Sequence, residues 1–263
     1  MKYILSIIVL YIVGFTLAFG QATFGGKSLI GGKAVAGAGG AAVVAATIAF
    51  DNSLSQHDAQ CEITVCQTSL SFSYTVNSNS NGILCIAVGF VDTNLAATVS
   101  SATYNGASLT KVITQPTGTG YSANSNRIEQ WCKLTPATGS NTLVVNISAA
   151  PANDWDVGVI SLTGVHQSLT PDASSGNSAA SGQPGGSVTT IANNAWIVDG
   201  IVDNGLDTPL ATSPSNRRYL ENSSRSYGGS TKGPVTPAGS TTMAWTGLTS
   251  AFSQVITSWA PGP

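Results

Sequence analysis

The chain has 263 residues, enough for one large β domain or two small ones, and only 8% of them are charged, with a formal net charge of −2. An ordinary soluble protein carries about 25% charged residues, so this surface has to be built from Ser, Thr, Asn and Gly. No run of Lys and Arg is present to neutralise phosphates, which argues against nucleic acid as a partner.

The first 22 residues read as a signal peptide. Lys2 forms a short basic start, Ile4 to Phe19 is an uncharged apolar run, and Ala18-Phe19-Gly20 or Gly20-Gln21-Ala22 offers small residues for cleavage. Removing Lys2 makes the chain one unit more negative. The protein is therefore expected to be secreted, extracellular or at the cell surface. No membrane association is expected after cleavage: the uncharged stretch from Ala34 to Phe50 is shorter than the ~20 residues a spanning helix needs.

Residues 23–41 form a Gly-rich arm. Gly25-Gly26-Lys27-Ser28-Leu29-Ile30 is echoed by Gly31-Gly32-Lys33-Ala34-Val35-Ala36, and a Gly/Ala run leads into Ala42-Val43-Val44 and a first strand ending near Phe50. Glycine loses the most entropy on ordering, which favours a flexible lead-in. A sharper expectation is an assembly arm, carried by Gly25, Lys27, Gly31, Lys33, Val43 and Val44, that pairs with a sheet edge of a neighbouring copy through its backbone.

From 42 to 263 a single β-sandwich domain is predicted. Leu70, Phe72, Tyr74 and Val76 alternate with Ser and Thr, the period of a half-buried strand. Ile83 to Val91 is apolar on both faces, as in a strand covered on each side. Asn105-Gly106 between strand formers predicts a hairpin, because a type I′ turn needs positive φ at both central residues. Further strands are expected at Arg127–Leu134, Leu143–Ile147, Trp155–Val165, Trp196–Val202 and Phe252–Trp259. Residues 173–187 and 203–239 read as loops. No segment beyond the signal has helical periodicity, so the fold class is all-β, an antiparallel sandwich or jelly roll with an N-terminal arm.

Four cysteines in an exported chain allow three pairings. The favoured one staples the short loop Cys61–Cys66 and ties two strands together through Cys85–Cys132. Zinc at these cysteines is not expected, because the spacing is C-x4-C.

The series Val99-Ser-Ser-Ala-Thr-Tyr104-Asn-Gly106-Ala-Ser-Leu109-Thr-Lys-Val112, then Glu129-Gln-Trp131, Leu134-Thr-Pro136-Ala-Thr-Gly139-Ser-Asn141-Thr-Leu143-Val-Val145 and Ser161-Leu-Thr-Gly164-Val165-His-Gln167 carries a resemblance. It resembles a loosely defined family of β-sandwich domains found in secreted bacterial surface proteins and phage virion proteins. The resemblance implies a sandwich fold and brings no catalytic residues.

Chemistry has few footholds. His57 and His166 are the only histidines, both read as loop residues, and no Gly-x-Ser-x-Gly elbow accompanies them. Asp154-Trp155-Asp156 puts two acids on one strand face, and with Asp199 these are the carboxylates a glycan-active enzyme would use. Asp203, Asn204 and Asp207 bear oxygens at loop spacing, a candidate calcium site without the EF-hand pattern. Tyr121 and Tyr227, in Gly/Ser/Asn-rich stretches, are the candidates for exposed sugar-stacking aromatics. Asn146 and Asn222 head glycosylation sequons. The leading expectation is a non-enzymatic structural or adhesive protein that self-associates into a filament or surface assembly. The alternatives are a carbohydrate-binding module that meets surface glycans, a virion structural protein, and a secreted glycan-active enzyme. No cofactor is expected, calcium excepted.

Overall fold

The computed structural model describes residues 46–263 except 94, 118–124 and 213–214. The signal peptide, the arm residues Gly25, Lys27, Gly31, Lys33, Val43 and Val44, and Tyr121 lie outside the described residues. Among those described there is no helix, and all strand pairs are antiparallel.

The strands are β1 (Ala49–His57), β2 (Ser69–Val76), β3 (Ile83–Asp92), β4 (Val99–Tyr104), β5 (Ala107–Ser108), β6 (Thr110–Pro116), β7 (Ser125–Leu134), β8 (Gly139–Ile147) and β9 (Asp154–Thr163). They are followed by β10 (Ala173–Ala179), β11 (Gly185–Thr189), β12 (Ala195–Asp203), β13 (Leu210–Ala211), β14 (Asn216–Asn222), β15 (Ser226–Val235), β16 (Ser240–Thr246) and β17 (Phe252–Trp259). They form four sheets, ordered β1-β9-β3-β7-β6, β2-β8-β4-β5, β10-β17-β12-β15-β14 and β11-β16-β13.

Those orders contain a repeat. Replacing β1, β2, β3, β4, β6, β7, β8 and β9 by β10, β11, β12, β13, β14, β15, β16 and β17 converts the first pair of sheets into the second, with β5 left over. The match extends to residues. Ile86-Ala-Val-Gly-Phe-Val-Asp92 in β3 corresponds to Ile197-Val-Asp-Gly-Ile-Val-Asp203 in β12. The turn Thr135-Pro-Ala-Thr-Gly-Ser-Asn-Thr142 returns, one residue shorter, as Thr236-Pro-Ala-Gly-Ser-Thr-Thr242. The compact unit from Val43 to Pro263 thus holds two layered pairs of sheets, two sandwiches of one design.

Their five-stranded sheets pack face to face along a central seam. β1 lies against β14 and β6 against β10, β9 against β15 and β7 against β17, and β3 meets β12. Each of these contacts comes with its exchanged counterpart, as an approximate two-fold axis between β3 and β12 within one chain requires, although β7 contacts β12 more extensively than β15 contacts β3. The position explains why β3, β9, β12 and β17 are buried on both faces. Side chains alternate across a strand. Leu84, Ile86, Val88 and Phe90 therefore enter the first sandwich core with Leu143, Val145 and Trp155, while Ile83 and Cys85 join Ile160, Val198 and Trp259 in the seam.

Turns and staples follow the sequence. Asn105 (φ 49°) and Gly106 (φ 73°) both adopt positive φ in the β4–β5 hairpin. Cys85 and Cys132 are disulfide-bonded directly across β3 and β7, and Cys61 bonds Cys66 between β1 and β2.

Three expectations need correction. Among the described residues the first strand begins only at Ala49, where the apolar run ends, and is the polar Ala49–His57, an edge strand whose side chains are mostly half-buried. Residues 173–187 hold β10 and the start of β11. Residues 203–239 hold β13, β14 and β15. The polar, glycine-rich look of β15 has a packing cause: a Cβ at Gly228, Gly229 or Gly233 would come within 2.8, 2.2 and 2.3 Å of the rings of Trp245, Tyr219 and Trp196. The strand supplies space for aromatic rings carried by its neighbours.

Candidate functional site

The residues able to do acid–base or metal chemistry converge at one end of the seam. β9 sends Trp155 outward into the first core, stacked on Phe90 at 6.2 Å, and its flanking Asp154 and Asp156 inward. Both acids are essentially inaccessible, at 0% and 1% exposure. β1 pairs with β9 so that His57 stands opposite Asp156. Its Nδ1 lies 3.1 Å from Asp156 Oδ1 and 3.5 Å from Asp154 Oδ1, and its Nε2 lies 3.4 Å from Glu62 Oε1 in the disulfide loop. His57 is therefore the end of a strand, not a loop residue, and is joined to acids 97 and 99 positions away. His166 is exposed.

The second sandwich closes the corner. Ser224, in the β14–β15 turn, donates its hydroxyl to Asp154 Oδ2, and Arg225 donates to Ser224 O at 2.8 Å. Burial opposes a charge on His57, but the hydrogen bond to Asp156 and the charges of Asp156, Asp154 and Glu62 outweigh it and hold the imidazole at about 9. Burial pushes both carboxyls upward, Asp156 strongly. One imidazolium cannot neutralise two buried acids.

This corner also collects unmet polar atoms. His57 Nε2, Asp154 Oδ1, Asp156 Oδ2, Ser223 Oγ, Arg225 Nε and Tyr227 Oη are buried without a hydrogen-bond partner among the described residues. Buried polar atoms are normally paired, so several orphans in one place mark a site that protein groups alone do not complete. Tyr227 is one of them: it is 3% exposed and packs in the seam beside Val202 and Val255. Its expected role as an exposed sugar-stacking ring is corrected accordingly, since its strand turns the ring toward the other sandwich.

The other candidate acids serve the fold. Asp199, fully buried, accepts from Ser230 N (2.9 Å) and Oγ (2.6 Å), Trp245 Nε1 (2.7 Å) and Gln254 Nε2 (2.9 Å), and so ties its own two sheets together. Asp203 accepts from Gly205 N at 2.9 Å, and burial together with the neighbouring Asp207 lifts it to about 7. Asp207 itself accepts from Thr249 N at 2.8 Å. Calcium bound by Asp203, Asn204 and Asp207 would have to displace the proton that burial favours on Asp203. Asp203 Oδ1 and Asn204 Oδ1 have no hydrogen-bond partner among the described residues. The sulfurs of Cys61 and Cys66 lie near Asp58 but are committed to their disulfide.

No protein-family model matches the chain, and no curated protein or solved structure matches it either. Functional inference therefore rests on the residues themselves. Two disulfides fit an extracellular protein, and no helix among the described residues is long and apolar enough to cross a membrane.

Proposed function

We propose that the chain is a secreted, non-enzymatic structural protein that self-associates outside the cell, its N-terminal arm adding as a strand to a neighbouring copy. The observation that carries this reading is the edge strand β2. Exposed edges normally carry Lys, Pro or a bulge that discourages pairing. β2 runs for eight residues, Ser-Leu-Ser-Phe-Ser-Tyr-Thr-Val, in unbroken register with β8, with no charge, proline or bulge. Asn52 Nδ2 reaches its far end at Thr75 O (2.8 Å), and among the described residues no strand pairs along the rest. Strand addition supplies affinity through main-chain hydrogen bonds and asks little of the incoming side chains, which suits a Gly/Ala-rich segment.

Charge supports the same reading. Asp58, Asp92, Asp154, Asp156, Asp199 and Asp203 are at most 4% exposed, and a net charge only one unit more negative than the full chain's −2 leaves little repulsion between mature copies. The test is size-exclusion chromatography with negative-stain microscopy on the mature chain, on a form lacking residues 23–45, and on Ser71→Pro. Assemblies that disappear in both variants, while each variant stays folded, are expected. A monodisperse monomer for the mature chain would overturn the proposal, as would assembly that survives both changes.

A second reading, glycan binding, has its specific support at Trp196 rather than at the tyrosines. Its half-buried ring borders a pocket of about 150 Å³ with Asn194 and Pro234, and its Nε1 has no hydrogen-bond partner among the described residues. Glycan-array binding that Trp196→Ala abolishes would favour it.

A further inference from the structure

The two-fold repeat supplies an internal control for the buried corner. Through Gly89 of β3 and Gly200 of β12, which are equivalent, Asp156 corresponds to Val255, because each pairs with its glycine. By the same registers Asp154 corresponds to Ser253, and His57, opposite Asp156, corresponds to Gly176, opposite Val255. The second sandwich therefore builds the same corner from glycine, serine and valine. Val255 packs there among apolar side chains, and Ser253 donates to Asn126 O at 3.4 Å. Packing does not require the charges. Burying an acid pair is costly unless something completes it, so the first sandwich bears a cost that its twin avoids.

We propose that His57, Asp154 and Asp156 form a site for one divalent transition cation, zinc above all, that clamps the two sandwiches at the end of their seam. The three ligand atoms lie within 4.8 Å of one another. The distances of 3.1 and 3.5 Å from Nδ1 to the two Oδ1 atoms match the roughly 3.0–3.5 Å edges of a coordination shell with 2.0–2.2 Å bonds to nitrogen and oxygen. Asp154 Oδ1 and Asp156 Oδ2, on side chains 0% and 1% exposed, accept no hydrogen bond among the described residues, so the acids have oxygen lone pairs to spare. An imidazole with two carboxylates suits zinc better than calcium or magnesium, which take oxygen ligands in larger number.

Glu62 strengthens the assignment. With Nδ1 on the metal, the other ring nitrogen would carry its proton toward Glu62 Oε1, which lies at an ion-pair distance of 3.4 Å. A carboxylate in that position fixes the tautomer and orientation of a metal-bound histidine. The Cys61–Cys66 disulfide holds Glu62 in its loop, where the half-exposed carboxylate covers the buried Nε2 edge of the ring and stands between the site and solvent. Ser224 on Asp154 then links the site to the second sandwich.

The test uses the untagged mature chain, stripped with chelator and titrated with Zn²⁺ against a chromogenic competitor, with Co²⁺ as a spectroscopic probe. One tight equivalent per chain and cobalt d–d absorption are expected, both lost in His57→Gln and Asp156→Asn. Glu62→Gln, an isosteric change at a half-exposed side chain, should weaken zinc about 10- to 100-fold with the fold retained by circular dichroism. Installing the second sandwich's residues, His57→Gly with Asp154→Ser and Asp156→Val, should abolish binding while the metal-free melting temperature holds or rises. A wild-type chain that takes up no stoichiometric zinc, which would leave His57 as an imidazolium fastener, overturns the proposal. So does Glu62→Gln or the triple variant binding as tightly as wild type.

Discussion

The two sandwiches share a strand order but spend their polar residues differently. At the position of Val88, which fills the first core, the second sandwich has Asp199 with four donors around it. At the position of Asp203 the first has Asp92, whose carboxylate accepts from Thr93 N (2.8 Å), Ala96 N (3.1 Å), Ala97 N (3.3 Å) and Ala152 N (3.1 Å). Asp203 has Gly205 N and an acidic neighbour instead. At the seam the inequality reverses: His57, Asp154 and Asp156 in one half answer to Gly176, Ser253 and Val255 in the other. The architecture is set by apolar alternation and turn chemistry common to both halves. Positions where one half breaks with the other are where polar groups have been given a separate task.

Perturbations should rank accordingly. The Cys85–Cys132 disulfide spans 47 residues and Cys61–Cys66 spans 5, so chain entropy assigns them about 4 and about 2 kcal/mol. Denaturant titration of Cys85→Ala/Cys132→Ala against Cys61→Ala/Cys66→Ala should show that gap. Next comes Gly158→Ala, which puts a Cβ 1.9 Å from the Tyr219 ring, wedged in the seam, at an expected cost of about 3 kcal/mol or more. Gly176→Ala meets the flexible end of Gln115 and should lose under about 1 kcal/mol; equal losses would mean the seam is loosely packed. Asp199→Val, the exchange that imitates Val88, strands the Trp245, Gln254 and Ser230 donors and should cost about 2–3 kcal/mol by the same titration.

The smallest effect depends on pH. Asp203 sits at about 7 when folded, above the usual carboxylate value near 3.9. The folded state thus holds a proton that the unfolded state has released. The resulting stability is fully present below about pH 4 and lost as pH rises through 7. Asp203→Asn, which cannot ionise, should gain on wild type in melting temperature between pH 5 and pH 8. Asp92→Asn should lose at both, having weakened an acceptor that holds four backbone N–H groups.

β3 reads correctly as a strand covered on each side because its sequence leaves no polar face, and β9, β12 and β17 read correctly as strands. β2, β7, β8 and the Asn105-Gly106 hairpin were equally plain. Edge strands were harder. β1 and β10 are rich in Ser, Asn and Asp or Gly because they border solvent, and β15 is rich in glycine because Tyr219, Trp245 and Trp196 need the room. Such segments have loop composition for reasons that exist only once the sheets are packed. The repeat between Ile86–Asp92 and Ile197–Asp203 was present in the letters, yet short apolar heptads recur in any β protein, and strand order was needed to give it meaning. The candidate site was half legible. Asp154 and Asp156 announce a shared face by their spacing, but His57 reaches them through pairing across about a hundred residues, and Tyr227 looks exposed until its strand is placed against the other sandwich.

The account stands on the seam: two related sandwiches joined through β3 and β12 into one cooperative body. Hydrogen exchange of the intact mature chain, read by mass spectrometry, tests this directly. Amides of β3, β9, β12 and β17 should exchange slowest and together, at the rate of global unfolding. If residues 173–259 instead exchange as a separate, faster unit while β3 and β9 stay protected, the sandwiches are independent neighbours and the seam is not what holds the molecule together.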